Sequence, residues 1–174
     1  MNSIIKFHFD RLEKERKSLL TTLTTIPEKT LSSSPAEGKW SVNQILIHLV
    51  TSEQLTLAYL KKKSLGIDHL KNSGPWEWIR INILKWSQRL PALKYKAPKY
   101  VVANTPEAVP LAELERRWNS VRMELSQFLD KVQDRDVRKL IYKHPVAGRF
   151  DVVQCLMFMR EHYHHHLPQI KRLL

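Results

Sequence analysis

The sequence predicts an all-α protein, a four-helix bundle with an extra helical segment on the crossover, and three observations lead there. Apolar residues recur at alternating three- and four-residue steps in long segments, the spacing that keeps one helix face inward. Two segments open with strong caps, Ser41 with Gln44 three residues on and Asp151 with Gln154 three residues on. No strand-like alternation of useful length appears, and no repeat at solenoid periods.

The first helix is predicted from about Ile4 to Ile26, with Ile5, Phe9, Leu12, Leu19, Leu23 and Ile26 along its seam and Arg16 filling one seam position. Pro27 ends it. A Ser-rich link leads to the second, from Ser41 to about Lys63, with Trp40 and Ile45 at the positions of a hydrophobic staple. Its last turn, Lys61-Lys62-Lys63, suits the negative end of the helix dipole. A third segment, Pro75 to about Leu90, carries Trp76, Trp78, Ile79, Ile83 and Trp86, and a Pro-punctuated extended stretch runs from Pro91 to Pro110. The fourth helix has Leu111, Leu114, Trp118, Val121, Leu125, Phe128 and Val132 at alternating steps of three and four. The fifth follows Gly148 and carries Val152, Cys155, Leu156, Met159, His162, Tyr163, His166 and Ile170 on one stripe. The links between helices one and two, and four and five, suit antiparallel neighbours. The stretch from Ser64 to Pro110 is long enough to cross the bundle.

The chain has 174 residues, 43% hydrophobic and 26% charged, which predicts one globular domain over residues 1–174 and excludes a disordered chain. One cysteine cannot form an internal disulfide, so a disulfide scaffold is excluded and a reducing cytoplasm is expected. No run approaches the ~18 apolar residues of a membrane span. Charge appears too early at the N-terminus for a signal-peptide core. With 29 Lys and Arg against 17 Asp and Glu, the net charge is +12, which favours anions without choosing among nucleic acid, membrane surface and acidic metabolites. The basic residues are spread over every segment with no recognition-helix or aromatic-platform motif, so a solvated basic surface is expected. Neither nucleic acid nor membrane is an expected partner.

Eight histidines carry the chemistry. His162 and His166 are four apart, on one helix face at roughly 5–6 Å between Cβ atoms, so both can reach one ion. His165 lies near that arc and His164 points away. His48 sits on the second helix with Ile45, Leu49, Ser52 and Leu55. Alone, such histidines read as satisfied interior groups plus a solvated run. One inward imidazole from one helix and two from another is also how bundles build metal sites, and three neutral imidazoles suit Zn²⁺, Ni²⁺ or a related ion. Glu53 lies roughly 140° round the helix from His48, a poor base for the same metal and either a buried hydrogen-bonding group or a surface carboxylate. Cys155 reads as core, with a soft ligand as the lesser reading. His144-Pro145 reads as a turn, and His8 and His69 as surface residues. Arg16 either snorkels or reaches an anion in the cavity.

Lys39-Trp40-Ser41-Val42-Asn43-Gln44-Ile45-Leu46-Ile47-His48-Leu49 resembles the first motif of the DinB superfamily, and His144-Pro145, Gly148 and His162 through Ile170 resemble its second. Tyr95-Lys96-Ala97-Pro98 and Leu114, Trp118, Arg122 and Leu125 resemble the family's middle. The resemblance to these DinB-like, YfiT-type proteins implies an up-down-down-up bundle, often a homodimer, with a divalent metal on His48, His162 and His166. Zn or Ni is the first expectation, with Mn or Fe behind them. The implied function is a metal-dependent hydrolase acting on a small molecule. The alternatives are a metal-dependent thiol S-transferase, whose substrate is a thiol or an anionic compound, and a non-catalytic metal- or ligand-binding module. Pro168 departs from the pattern and is expected to kink the helix past His166, with His165 as the substitute ligand. The aromatic segment 75–90 is expected to serve as a dimer contact or a cavity lid.

Overall fold

The computed structural model describes residues 1–89 and 109–174. Most of the stretch predicted as extended, Pro91 to Pro110, lies outside the described residues, as do Tyr95-Lys96-Ala97-Pro98. The helices are α1 (Ser3–Leu23), a short α2 (Glu28–Ser32), α3 (Val42–Ser64), α4 (Pro75–Arg89), α5 (Leu111–Asp130) and α6 (Val152–Leu173). Between α5 and α6 lies an antiparallel hairpin of β1 (Tyr142–His144) and β2 (Gly148–Phe150).

Local chemistry sets the boundaries. Both capping boxes form: Gln44 N–H donates to Ser41 Oγ while Gln44 Oε1 accepts from Ser41 N–H, and Gln154 and Asp151 exchange the same pair. Buried Asp151 also accepts from the Ser73 hydroxyl, so the start of α6 is pinned to the chain before α4. Pro110 offers α5 no side-chain cap, and Glu28 of α2 fills the role by accepting from Leu111 N–H at 3.2 Å. Helix α1 stops at Leu23, short of the expected Ile26, because Thr24 and Thr25 turn their hydroxyls back to the carbonyls of Thr21 and Thr22 ahead of Pro27.

Among the four bundle helices α1, α3, α5 and α6, the closest pairings are α3 with α5, α1 with α6, α3 with α6 and α1 with α5, and α4 packs on α6 from outside that set. The helices joined by the two links, α1 with α3 and α5 with α6, are thus not close partners, contrary to the expectation from short links. Residues 24–41 hold α2, with Leu31 fully buried, and residues 131–151 hold a 3₁₀ turn and the hairpin, so both links span more than a tight connection does. The hairpin escapes sequence reading because its strands have three residues each, too few for alternation to register. Gly148, at φ 87°, supplies the left-handed residue that closes it. Segment α4 is a helix as predicted, packed on α6 and β2 through Ile81 and Leu84.

The interior divides into two apolar clusters. One gathers Leu12, Leu57, Leu125, Phe150 and Met159, the other Leu19, Val50, Trp118, Val121 and Tyr163. Along α1, α3 and α5 the clusters meet at Arg16, Glu53 and Arg122, all buried, and along α6 they meet at His162. A polar layer therefore crosses the bundle at mid-height.

Candidate metal centre

His48 is fixed by α3, whose N-terminus is set by the capping box, and His162 and His166 by α6, one turn apart. His162 Nε2 lies 3.3 Å from His48 Nε2 and 3.2 Å from His166 Nε2, and one ring nitrogen from each of the three lies within 4.8 Å of the others. His48 and His166 are buried and His162 is partly exposed. Burial holds His48 down at about 4 and His166 at about 3, with the positive charge of neighbouring imidazoles adding to the effect. It holds His162 well below its ordinary value for the same reasons. All three are neutral bases at pH 7.

A neutral imidazole carries one N–H. His166 Nδ1 donates its proton to Gln169 Oε1 at 3.0 Å, which leaves Nε2 as a lone pair aimed at the centre. A single proton on His162 or His48 cannot serve both short contacts at full strength, so at least one of them lacks a full hydrogen bond. A cation resolves that crowding, and three imidazole nitrogens are a donor set suited to Zn²⁺ or Ni²⁺. The group contains no carboxylate.

Neighbouring rings wall the cluster. Phe158 stacks on His162 with centroids 5.9 Å apart and planes 7° from parallel, and Trp40 lies 5.1 Å from His48. His144, in β1, meets Phe158 edge-on at 4.6 Å, and its Nδ1 accepts from Val146 and Ala147 N–H in the turn. Burial holds His144 down at about 4, so it too is neutral.

Other candidates are placed elsewhere. Helix α6 continues through Pro168, and His166 keeps its aim. The proline is exposed, so the His164 carbonyl it deprives of a partner lies on a face that water reaches. His165 adjoins His166 with centroids 5.1 Å apart and is not one of the three. His164 faces Glu15 of α1 at 3.0 Å. Cys155 is buried in the apolar core, which pushes its thiol far up and leaves it inert. His69 is exposed and His8 half-buried.

Glu53 is buried and fully committed, accepting from Arg122 Nη2 at 2.6 Å, Arg122 Nε at 2.7 Å and Trp118 Nε1 at 2.8 Å. Arg16 neither snorkels nor reaches an empty cavity. It grips Glu13 through Nε and Nη2 and donates to Asn119 Oδ1 at 2.7 Å. Sequence reasoning missed Gln169 as the group that orients His166, although its place three residues on, within hydrogen-bond reach along a helix, was a usable signal.

Three histidines thus converge from two helices of a bundle into a group that could hold a metal, and comparison with known families gives the class of protein. The DinB superfamily model matches residues 11–170, and the chain belongs to that superfamily. It is similar to the uncharacterized protein YuaE of Bacillus subtilis (strain 168), with 22% identity over 151 residues that cover 87% of each chain. No solved structure matches the chain.

Proposed function

We propose that the protein is a metal-dependent hydrolase of a small molecule, with a divalent ion, Zn²⁺ or Ni²⁺ before Mn²⁺ or Fe²⁺, held by His48, His162 and His166. When bound, such an ion supplies Lewis acidity, bringing the pKa of water toward ~7 and polarising a substrate carbonyl. The chain's own part is to place and tune the donors. Burial keeps the imidazoles neutral, Gln169 aims His166, and Phe158 backs the ring of His162. Arg122 holds the Glu53 carboxylate in its own ion pair, so that charge does not compete for the cation. The observation that carries this reading is the convergence of three ring nitrogens with no anion among them.

The missing carboxylate also favours a second reading, thiol S-transfer. Water needs a general base more than a thiol does, since a free thiol ionises near ~8.5. Hydrolysis of a panel of small esters and amides by metal-reconstituted protein tests the first reading. The expected result is turnover abolished by chelator and by His162→Ala. Metal-dependent conjugation of a thiol to an electrophile with no hydrolysis would replace it by the second. Neither activity above free-ion background would leave a binding module stabilised by its metal.

A further inference from the structure

Helix α4 is apolar on two opposite sides. Ile81 and Leu84 are buried against the bundle, while Trp76, Ile79, Ile83 and Trp86, at steps of 3, 4 and 3, form an outward stripe with Trp78 beside it. Trp76, Ile83 and Trp86 are 68%, 62% and 71% exposed. A helix apolar on both sides belongs in an interior, and a cluster of exposed indoles at a surface marks a contact site.

The border of the stripe indicates the partner. Arg80 flanks one edge of it and Lys85 the other. Arg80 also reaches the hairpin, where a Cβ on Gly148 would meet its Nη1 at 3.2 Å. On the hairpin, Lys143 and Arg149 stand directly opposite each other, both exposed, with Val146 76% exposed at the turn. Like charges opposite each other in a ladder are destabilising. Arg80, Lys85, Lys143 and Arg149 form no ion pair with any described residue. The surface thus combines an indole-rich stripe with uncompensated positive charge, in a chain of net charge +12.

We propose that α4 and the β1–β2 hairpin form a seat on an anionic lipid surface. The indoles and isoleucines enter the boundary between headgroups and acyl chains, and the four basic side chains meet lipid phosphates. Self-association fits less well, because pairing two copies about a two-fold axis through this face brings two basic borders together. Nucleic acid also fits less well, since phosphates give Ile79 and Ile83 nothing to bury against. No helix among the described residues is long and apolar enough to cross a membrane, but lying on a surface requires only one apolar face. The proposal therefore departs from the expectation of no membrane partner, which rested on the lack of a span.

Co-sedimentation of the full chain with phosphatidylcholine vesicles, with and without phosphatidylglycerol, tests it. The expected result is binding to the anionic vesicles only, a blue shift of indole emission on binding, and release by salt. The paired changes Trp76→Ser with Trp86→Ser, and separately Lys143→Ser with Arg149→Ser, should each lower partitioning by roughly tenfold or more. The hairpin pair should keep or raise the melting temperature because it removes a like-charge contact, so the test holds even if the tryptophan pair folds poorly. Absence of wild-type binding to anionic vesicles at low salt overturns the proposal, as does unchanged binding in the hairpin pair. A wild-type dimer that Trp76→Ser with Trp86→Ser dissolves would instead assign the face to a second copy.

Discussion

Two polar clusters are buried at mid-height in this bundle, and both draw on α3. In the first, Glu13, Arg16, Glu53 and Arg122 bring two anions and two cations into contact, and Asn119 and Trp118 take up further bonds. In the second, His48, His162 and His166 bring three neutral bases together with no anion and no proton for every contact. The first cluster balances its charges within itself. The second could hold a cation. His48 and Glu53 are five residues apart on one helix, and that rotation is enough to send the carboxylate into the structural cluster and leave the imidazole in a group that could hold a metal ion.

The largest predicted effect breaks the first cluster. Arg122→Ala leaves the Glu53 carboxylate buried without its partner and should cost about 3–5 kcal/mol in denaturant unfolding, with or without metal. A loss of under about 1 kcal/mol would mean that Glu53 does not depend on Arg122 as described. Next, adding Zn²⁺ or Ni²⁺ should stabilise the wild type by about 2.7 kcal/mol at 100 times the dissociation constant, and His162→Ala should abolish that gain. If the variant gains as much as the wild type, metal stabilises the protein elsewhere.

Acid separates the clusters as well. In the unfolded chain the histidines take up protons near ~6.5, but His48 does so only near about 4 and His166 near about 3 when folded. Below pH 6.5 the unfolded state therefore binds more protons, and metal-free stability should fall steadily down to about pH 4. Thermal scans of the wild type and of His48→Ala with His166→Ala check this, since the double variant should lose the share of the slope that these two carry while His144 and His162 keep the rest. A smaller effect is expected from Gln169→Leu, which should weaken metal binding roughly 10–100-fold in titration calorimetry while leaving metal-free unfolding nearly unchanged. Smallest of all, His164→Ala removes a half-exposed pair with Glu15, worth about 0–1 kcal/mol, and should not touch metal affinity.

Much of this was legible where the chemistry is local. Ser41–Gln44 and Asp151–Gln154 cap as their spacing says, and the four-residue step of His162 and His166 put two imidazoles on one face. What was illegible is set by partners far along the chain. Glu53 could be read as surface or buried because its fate rests on Arg122, 69 positions away, and Trp118 looked like plain seam although its Nε1 bonds that carboxylate. The proline at 168 suggested a broken aim that the structure does not show, because the penalty falls on the outer face of α6. Helix α4 hid its outward side because apolar residues on both faces leave periodicity nothing to distinguish.

Metal content decides the central claim most directly. Elemental analysis of tag-free protein, after reconstitution with Zn²⁺, Ni²⁺ or Mn²⁺ and removal of free ion, should find about one ion per chain in the wild type and in His164→Ala, and almost none in His48→Ala or His162→Ala. A wild type that retains no ion from any of the three, or a His162→Ala variant that retains it fully, would contradict the account.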